Sequence, residues 1–278
     1  MKQFKIGLQL YSVRDEMEKD FEGTLKKVAE MGYEYVEFAG YFGRSAQEIK
    51  ELLDKYGLKC ISVHQGVEWI LEEGQKAIDY LKTFGVKYVV VPWYAKENHK
   101  GGQGWEKTLM NFSAVGALLK ANDMKLGYHN HDFEFGTYEG KYLLDWLYET
   151  FPQDVLEPEI DTCWVHFAGV EPASYLRKYD GRMHVVHLKD FTCDKLGGAP
   201  VYALIDKNGK EQAKPTREDS GFRFRPVGEG IQDWAAILDA ADQAGAEVLI
   251  VEQDQSYEDS SLDAAARSRA YLKNTFGL

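Results

Sequence analysis

Cysteine is scarce. Cys60, Cys163 and Cys193 are the only three in 278 residues, and no two form a CxxC pair. An odd, scattered set signals neither a disulfide framework nor a zinc knuckle and fits a reducing compartment. Positive charge is also in deficit, with 33 lysines and arginines against 45 acids for a formal charge of -12. A field of that sign repels phosphate backbones and anionic lipid, so neither nucleic acid nor a membrane is an expected partner. No apolar run approaches bilayer-spanning length, and the opening MKQFKIGLQLYSVRDE lacks a signal-type apolar core. A cytoplasmic location is expected. Neither GxGxxG nor GxxxxGKS/T occurs, which removes the usual glycine-rich phosphate cradles.

What the chain does contain is a repeated unit. Apolar, β-branched runs alternate with amphipathic segments of helical spacing. The strand candidates span 4–10, 33–38, 59–64, 88–93, 125–131, 156–161, 184–190 and 247–254. In the turns EMGYEY, KYGLKC, TFGVKY and QAGAEV a glycine closes a helical segment just before a strand, as a left-handed C-cap does. Eight such pairs, with 44% apolar residues to fill a core, predict an α/β fold: a single (β/α)₈ TIM barrel over residues 1–278. The longest break, 191–230, reads as an elaborated loop between strands 7 and 8. Asn208-Gly209 is its hairpin turn.

In such a barrel the chemistry collects at the C-terminal strand ends. Those positions here are Gln9 and Tyr11, Glu37, His64, Trp93, His129 with His131 and Glu134, Asp161, His187 with Lys189, and Glu252 with Asp254. Residues two apart on a strand share a face, so His129 pairs with His131, Glu159 with Asp161, His187 with Lys189 and Glu252 with Asp254. If Asp161, His187 and Glu252 point inward, two carboxylates and an imidazole converge in outline as a divalent metal site. Oxygen-rich ligation with one nitrogen favours manganese or magnesium, with cobalt or zinc as alternatives. Each residue also has a plainer reading: Asp161 as a turn cap, His187 as a satisfied core histidine. Glu252, after VLIV, is harder to explain as an unpaired buried carboxylate.

Six segments together, IGLQLYSVR, YHNHDFEF, EIDTCWVHFAG, GRMHVVHLKD, VGEGIQDW and IVEQD, resemble the xylose-isomerase-like barrels. That family includes sugar phosphate isomerases and epimerases, inosose isomerases and dehydratases and, more distantly, endonuclease IV. The resemblance covers nearly the whole chain apart from about residues 194–220. It implies one divalent ion held by a Glu-Asp-His-Glu set, of which Asp161, His187 and Glu252 supply three. The first Glu has no counterpart at the end of the fifth strand, where His129 stands. The expected fourth ligand is Glu134, curling back over the mouth, and His129 or His131 is the competing assignment. In the epimerases two metal-bound glutamates exchange a proton at the carbon beside a carbonyl, while the ion stabilises the enediolate.

The implied function is a metal-dependent isomerase or epimerase of a ketose, keto-sugar or cyclitol. The alternative is a dehydratase or lyase on the same scaffold, favoured if one glutamate is displaced. Glu134, Glu252, Lys189 and His131 are the expected catalytic groups. His64, Gln9, Glu37, Trp93 and His129 are the expected substrate contacts. Lys189 either meets a substrate oxygen or pairs with Asp190 or Glu229, and Glu37 either anchors a hydroxyl or pairs with an arginine. Trp93, Tyr11 and Trp164 are candidate flat walls, and Arg223 and Arg225 candidate anion contacts. A DNA-repair endonuclease would need a trinuclear zinc cluster, a basic face and more than these seven histidines. A non-catalytic sugar-binding barrel would be metal-free. The resemblance also admits a homo-oligomer, as family barrels often form dimers or tetramers.

Overall fold

The computed structural model describes residues 4–197, 220–257 and 259–278. Eight strands form its centre: β1 (Lys5–Gln9), β2 (Tyr35–Ala39), β3 (Lys59–His64), β4 (Tyr88–Val91), β5 (Lys125–His129), β6 (Leu156–Asp161), β7 (Val185–Leu188) and β8 (Val248–Val251). Each pairs in parallel with its neighbours, and β8 returns to β1, so the sheet closes. Helices such as Phe21–Glu30, Ala46–Tyr56, Trp105–Lys120 and Ser261–Phe276 cover the outside. Most of the core lies between them and the strands, in a cluster that includes Leu8, Val36, Val63, Val89 and Leu249. The expected turn glycines, Gly32, Gly57, Gly85 and Gly245, all have φ between 69° and 91°, which a side chain would strain. No helix among the described residues is long and apolar enough to cross a membrane.

Register sets the lumen. Gln9 lies beside Glu37, Ala39 beside His64, His129 beside Glu159, and Asp161 beside His187. Between β2 and β3 the pairing passes from Val36–Cys60 to Glu37–Ser62 and skips Ile61. This bulge shifts the phase of β3. Ile61 packs with Tyr35, Val185, Val248 and Ile250, while Ser62 and His64 above it still reach Glu37.

Several strands stop short of the sequence limits, because polar residues leave the ladder for side-chain partners. After β5, Asn130 accepts from the Asp161 N–H at 3.0 Å and turns the chain, so His131 is not on the strand. After β7, Asp190–Thr192 pairs antiparallel with Arg223–Arg225, forming the base of the elaborated loop. The expected Asn208-Gly209 turn lies outside the described residues.

Candidate metal centre and active site

Six strand ends deliver ionisable groups to one place. Asp161 closes β6, and its Oδ1 caps the next helix by accepting from the N–H groups of Cys163 (2.8 Å) and Trp164 (3.2 Å). The other oxygen, Oδ2, lies 3.2 Å from His129 Nε2 and 3.1 Å from Lys189 Nζ. Glu252, just past β8, places Oε2 3.0 Å from His187 Nδ1, 2.8 Å from Lys189 Nζ and 3.7 Å from His129 Nε2. Asp254 completes the ring around the ammonium at 3.1 Å. Asp161 is therefore both cap and site residue, so the two readings of it do not exclude each other.

A second layer lies behind the first. Glu37 Oε1 sits 2.8 Å from His187 Nε2 and 3.0 Å from His64 Nε2, and it accepts from Gln9 Nε2 at 2.6 Å. Ser62 Oγ donates to its other oxygen. Glu159 Oε2 meets His64 Nε2 at 2.8 Å and His187 Nε2 at 3.3 Å, and its Oε1 has no hydrogen-bond partner. Sequence parity puts Glu159 on Asp161's face and was the signal that could have added it to the candidate residues.

The structure separates the expected site residues into groups. His64, Trp93, His129, His131, Lys189 and Glu252 line one cleft of about 480 Å³, with Tyr11 and Asp254. Asp161 and His187 are buried beneath it. Gln9 and Glu37, expected to touch substrate, are fully enclosed, and both ends of the Gln9 amide are used within the protein. Glu37 pairs with histidines, not an arginine. Lys189 does not pair with Asp190, which accepts from backbone groups, nor with Glu229, which pairs with Arg267. Trp164 is no wall of the cleft: it is buried among Phe167, Phe191, Phe222 and Phe224. Arg223 lies against the Tyr257 ring, and Arg225 donates to Thr192.

Glu134 is the main correction. It does not curl back toward Asp161, His187 and Glu252. Its Oε1 accepts from the Tyr128 hydroxyl at 2.6 Å and its Oε2 from the His131 N–H at 2.9 Å. The short helical turn Phe133–Phe135 carries it away from the mouth. His129, the competing assignment, reaches the group instead.

Burial and neighbours divide the charges. Burial opposes ionisation of Glu252 and Asp161, but Lys189 above all holds both carboxyls below the ordinary range. Burial likewise opposes the charge on Lys189, and Asp161, Asp254 and Glu252 outweigh it. His64 is held up to about 10 despite burial, by Glu37 and Glu159. Burial pushes His129 down to about 4 and His131 well below its usual value. Burial lifts Glu159 to about 7, helped by the adjacent Glu37 charge, and lifts Glu134 to about 8.

The donor set fits a divalent ion. Ligand atoms of His129, Asp161, His187 and Glu252 all lie within 4.8 Å of one another, and all four residues are buried. Asp161, Glu252 and Asp254 converge on one ammonium, and His187 adds an imidazole nitrogen 3.0 Å from Glu252, a mixed set of oxygen and nitrogen donors. Glu37 against the far nitrogen of His187 matches the carboxylate that commonly orients a ligating imidazole. Glu37, His64, Glu159 and His187 also satisfy the distance criterion. However, Glu37 already accepts from Gln9 and Ser62, and that group lies behind the first.

Comparison with known proteins places this geometry. The model of the Xylose isomerase-like TIM barrel family matches residues 25–275. The inosose dehydratase of Clostridium perfringens is 23% identical over 288 residues, covering 94% of this chain and 92% of that protein. A sugar phosphate isomerase/epimerase structure from Parabacteroides distasonis superposes with a TM-score of 0.76 at 20% identity, covering 99% of this chain and 96% of that one. The IOLI protein, solved with a zinc atom, gives a TM-score of 0.68 at 16% identity and 97% coverage of both chains. These two structures share the fold. With the family match spanning nearly all of the closed barrel, the chain belongs to the xylose isomerase-like TIM barrel family.

Proposed function

We propose that this protein is a metal-dependent lyase that enolises a keto-sugar or cyclitol and expels the oxygen substituent β to the carbonyl, water in the simplest case. The observation that carries this reading is the asymmetry of the site. An epimerase needs a base on each face of the reacting carbon. Here Glu252 supplies a carboxylate on one side, while the β5 station presents His129 and His131, and Glu134 is engaged elsewhere. The similarity to inosose dehydratases points the same way.

His129, Asp161, His187 and Glu252 hold the ion in this reading. When bound, it polarises the substrate carbonyl and stabilises negative charge growing on that oxygen. Two imidazoles with two carboxylates suit zinc, cobalt or manganese better than magnesium. Lys189 lines the cleft as a buried ammonium whose three N–H groups face Asp161, Glu252 and Asp254; with Asp161 and Glu252 turned to the ion, an N–H is freed for a substrate oxygen. A cleft-facing oxygen of Glu252 or Asp254 takes the carbon-bound proton. His131, kept neutral by burial, has one N–H and one lone pair, so it hydrogen-bonds the departing oxygen, which takes its proton from the carboxyl that removed the one on carbon. Glu37 and Glu159 hold His187 and His64 in orientation.

The test is incubation with an inosose and with keto-hexoses in deuterated water. Growth of a conjugated enone absorbance, abolished by chelation and restored by zinc, cobalt or manganese, supports the lyase. Deuterium incorporation with epimer formation and no enone supports the isomerase or epimerase. The named similarity to a sugar phosphate isomerase/epimerase keeps that second reading in view.

A further inference from the structure

The cleft is chemically layered. Its floor carries His64, His129, Lys189 and Glu252, and its rim carries Tyr11 and Trp93, exposed by 42% and 48%. Large aromatics left that open in a concave site mark a surface waiting for a flat apolar partner. Tyr11 is tied to its neighbours. The Tyr11 N–H donates to Gln9 Oε1 at 3.0 Å, and the Arg14 guanidinium lies 3.9 Å from the Tyr11 ring centre. Arg14 is itself held by the carbonyls of Tyr11 (2.7 Å) and Asp254 (2.9 Å). Trp93 follows Pro92, whose carbonyl faces His129 Nδ1 at 3.3 Å. A volume of about 480 Å³ exceeds what one hydroxylated six-membered ring fills and suits a larger ligand.

We propose that Tyr11 and Trp93 form a subsite for a second ring, so that the substrate is a keto-glycoside and the group expelled is an alcohol. This rests on the lyase reading above. The balance is that of an elimination. The base removes the proton on the carbon between the ketone and the anomeric centre, and the C–H electron pair becomes the enolate double bond. Re-forming the C=O breaks the anomeric C–O bond, whose electrons leave with oxygen. That oxygen takes up a proton, giving an enone and a free alcohol with no oxidant or reductant.

Two probes test it: a benzyl glycoside with its ketone two carbons from the anomeric centre, whose leaving alcohol is about as weak an acid as water, and the corresponding free keto-sugar. We expect kcat/KM for benzyl alcohol release to exceed that for dehydration of the free sugar by about tenfold or more, the scale of one good aromatic contact. Trp93→Ala and Tyr11→Ala should each cut this ratio by about tenfold, mainly through KM, while Trp93→Phe should keep most of it. A wild-type ratio near one, or a ratio unchanged in both alanine variants, overturns the second-ring subsite. Deuterium uptake from solvent separates the two failures. Uptake or enone formation with a ratio near one strikes the subsite alone, whereas neither uptake nor enone with either probe strikes the enolisation reading as well.

Discussion

Glu134 is where the residue scale decides most. Burial lifts its carboxyl to about 8, against 4.5 for the free group. The folded protein therefore keeps a proton that the unfolded chain releases. The stability this contributes is complete below about pH 4.5 and is lost as pH rises through about 8, at about 1.4 kcal/mol per pH unit in between. Urea unfolding should show the wild type losing stability relative to Glu134→Gln at that rate from about pH 5 to about pH 8. A difference that stays flat would mean the carboxyl is ionised in the fold, as a metal ligand is. Lys189 is the residue next in weight: it holds three carboxylates that would otherwise repel one another without compensation.

At the scale of elements, one side chain gathers the chain's return toward the next helix after β7. Asp190 accepts from the N–H groups of Phe191 (2.9 Å), Gly228 (2.9 Å) and Gly230 (3.1 Å) and from the Trp234 indole (3.0 Å). Gly230 has no room for a side chain there, since a Cβ would lie 2.0 Å from Asp190 Oδ1. Asp190→Ala should cost about 3 kcal/mol in chemical denaturation, because it leaves several buried donors unpaired. A loss below about 1 kcal/mol would show the loop is held by other contacts. The elements themselves were legible in the sequence. Strand alternation and the turn glycines at 32, 57, 85 and 245 carry the barrel, because backbone conformation and burial both leave local marks. Of the four residues whose donor atoms gather, three were legible, Asp161, His187 and Glu252, which parity and strand-end position bring together. The fourth position was not, because it depends on where β5 ends. Asn130 terminates the strand through a bond to the backbone of Asp161, 31 residues away. The enclosure of Glu37 was hidden for the same reason, as its partners come from β1, β3 and β7, and Gln9 is enclosed with it.

For the whole molecule, barrel closure is what makes the chemistry. Residues 37, 64, 129, 161, 187 and 252 are scattered along the chain, and parallel register stacks them at one end of a closed sheet. The net charge of -12 gives the molecule as a whole a field that favours cations over a phosphate backbone. The most direct test of the central claim is an anomalous-difference map from crystals of the protein grown with zinc or manganese. One strong peak is expected at the barrel mouth, bonded to His129, Asp161, His187 and Glu252, with Glu134 remote and still on Tyr128. No peak there, or one ligated by Glu134 in place of His129, would contradict it.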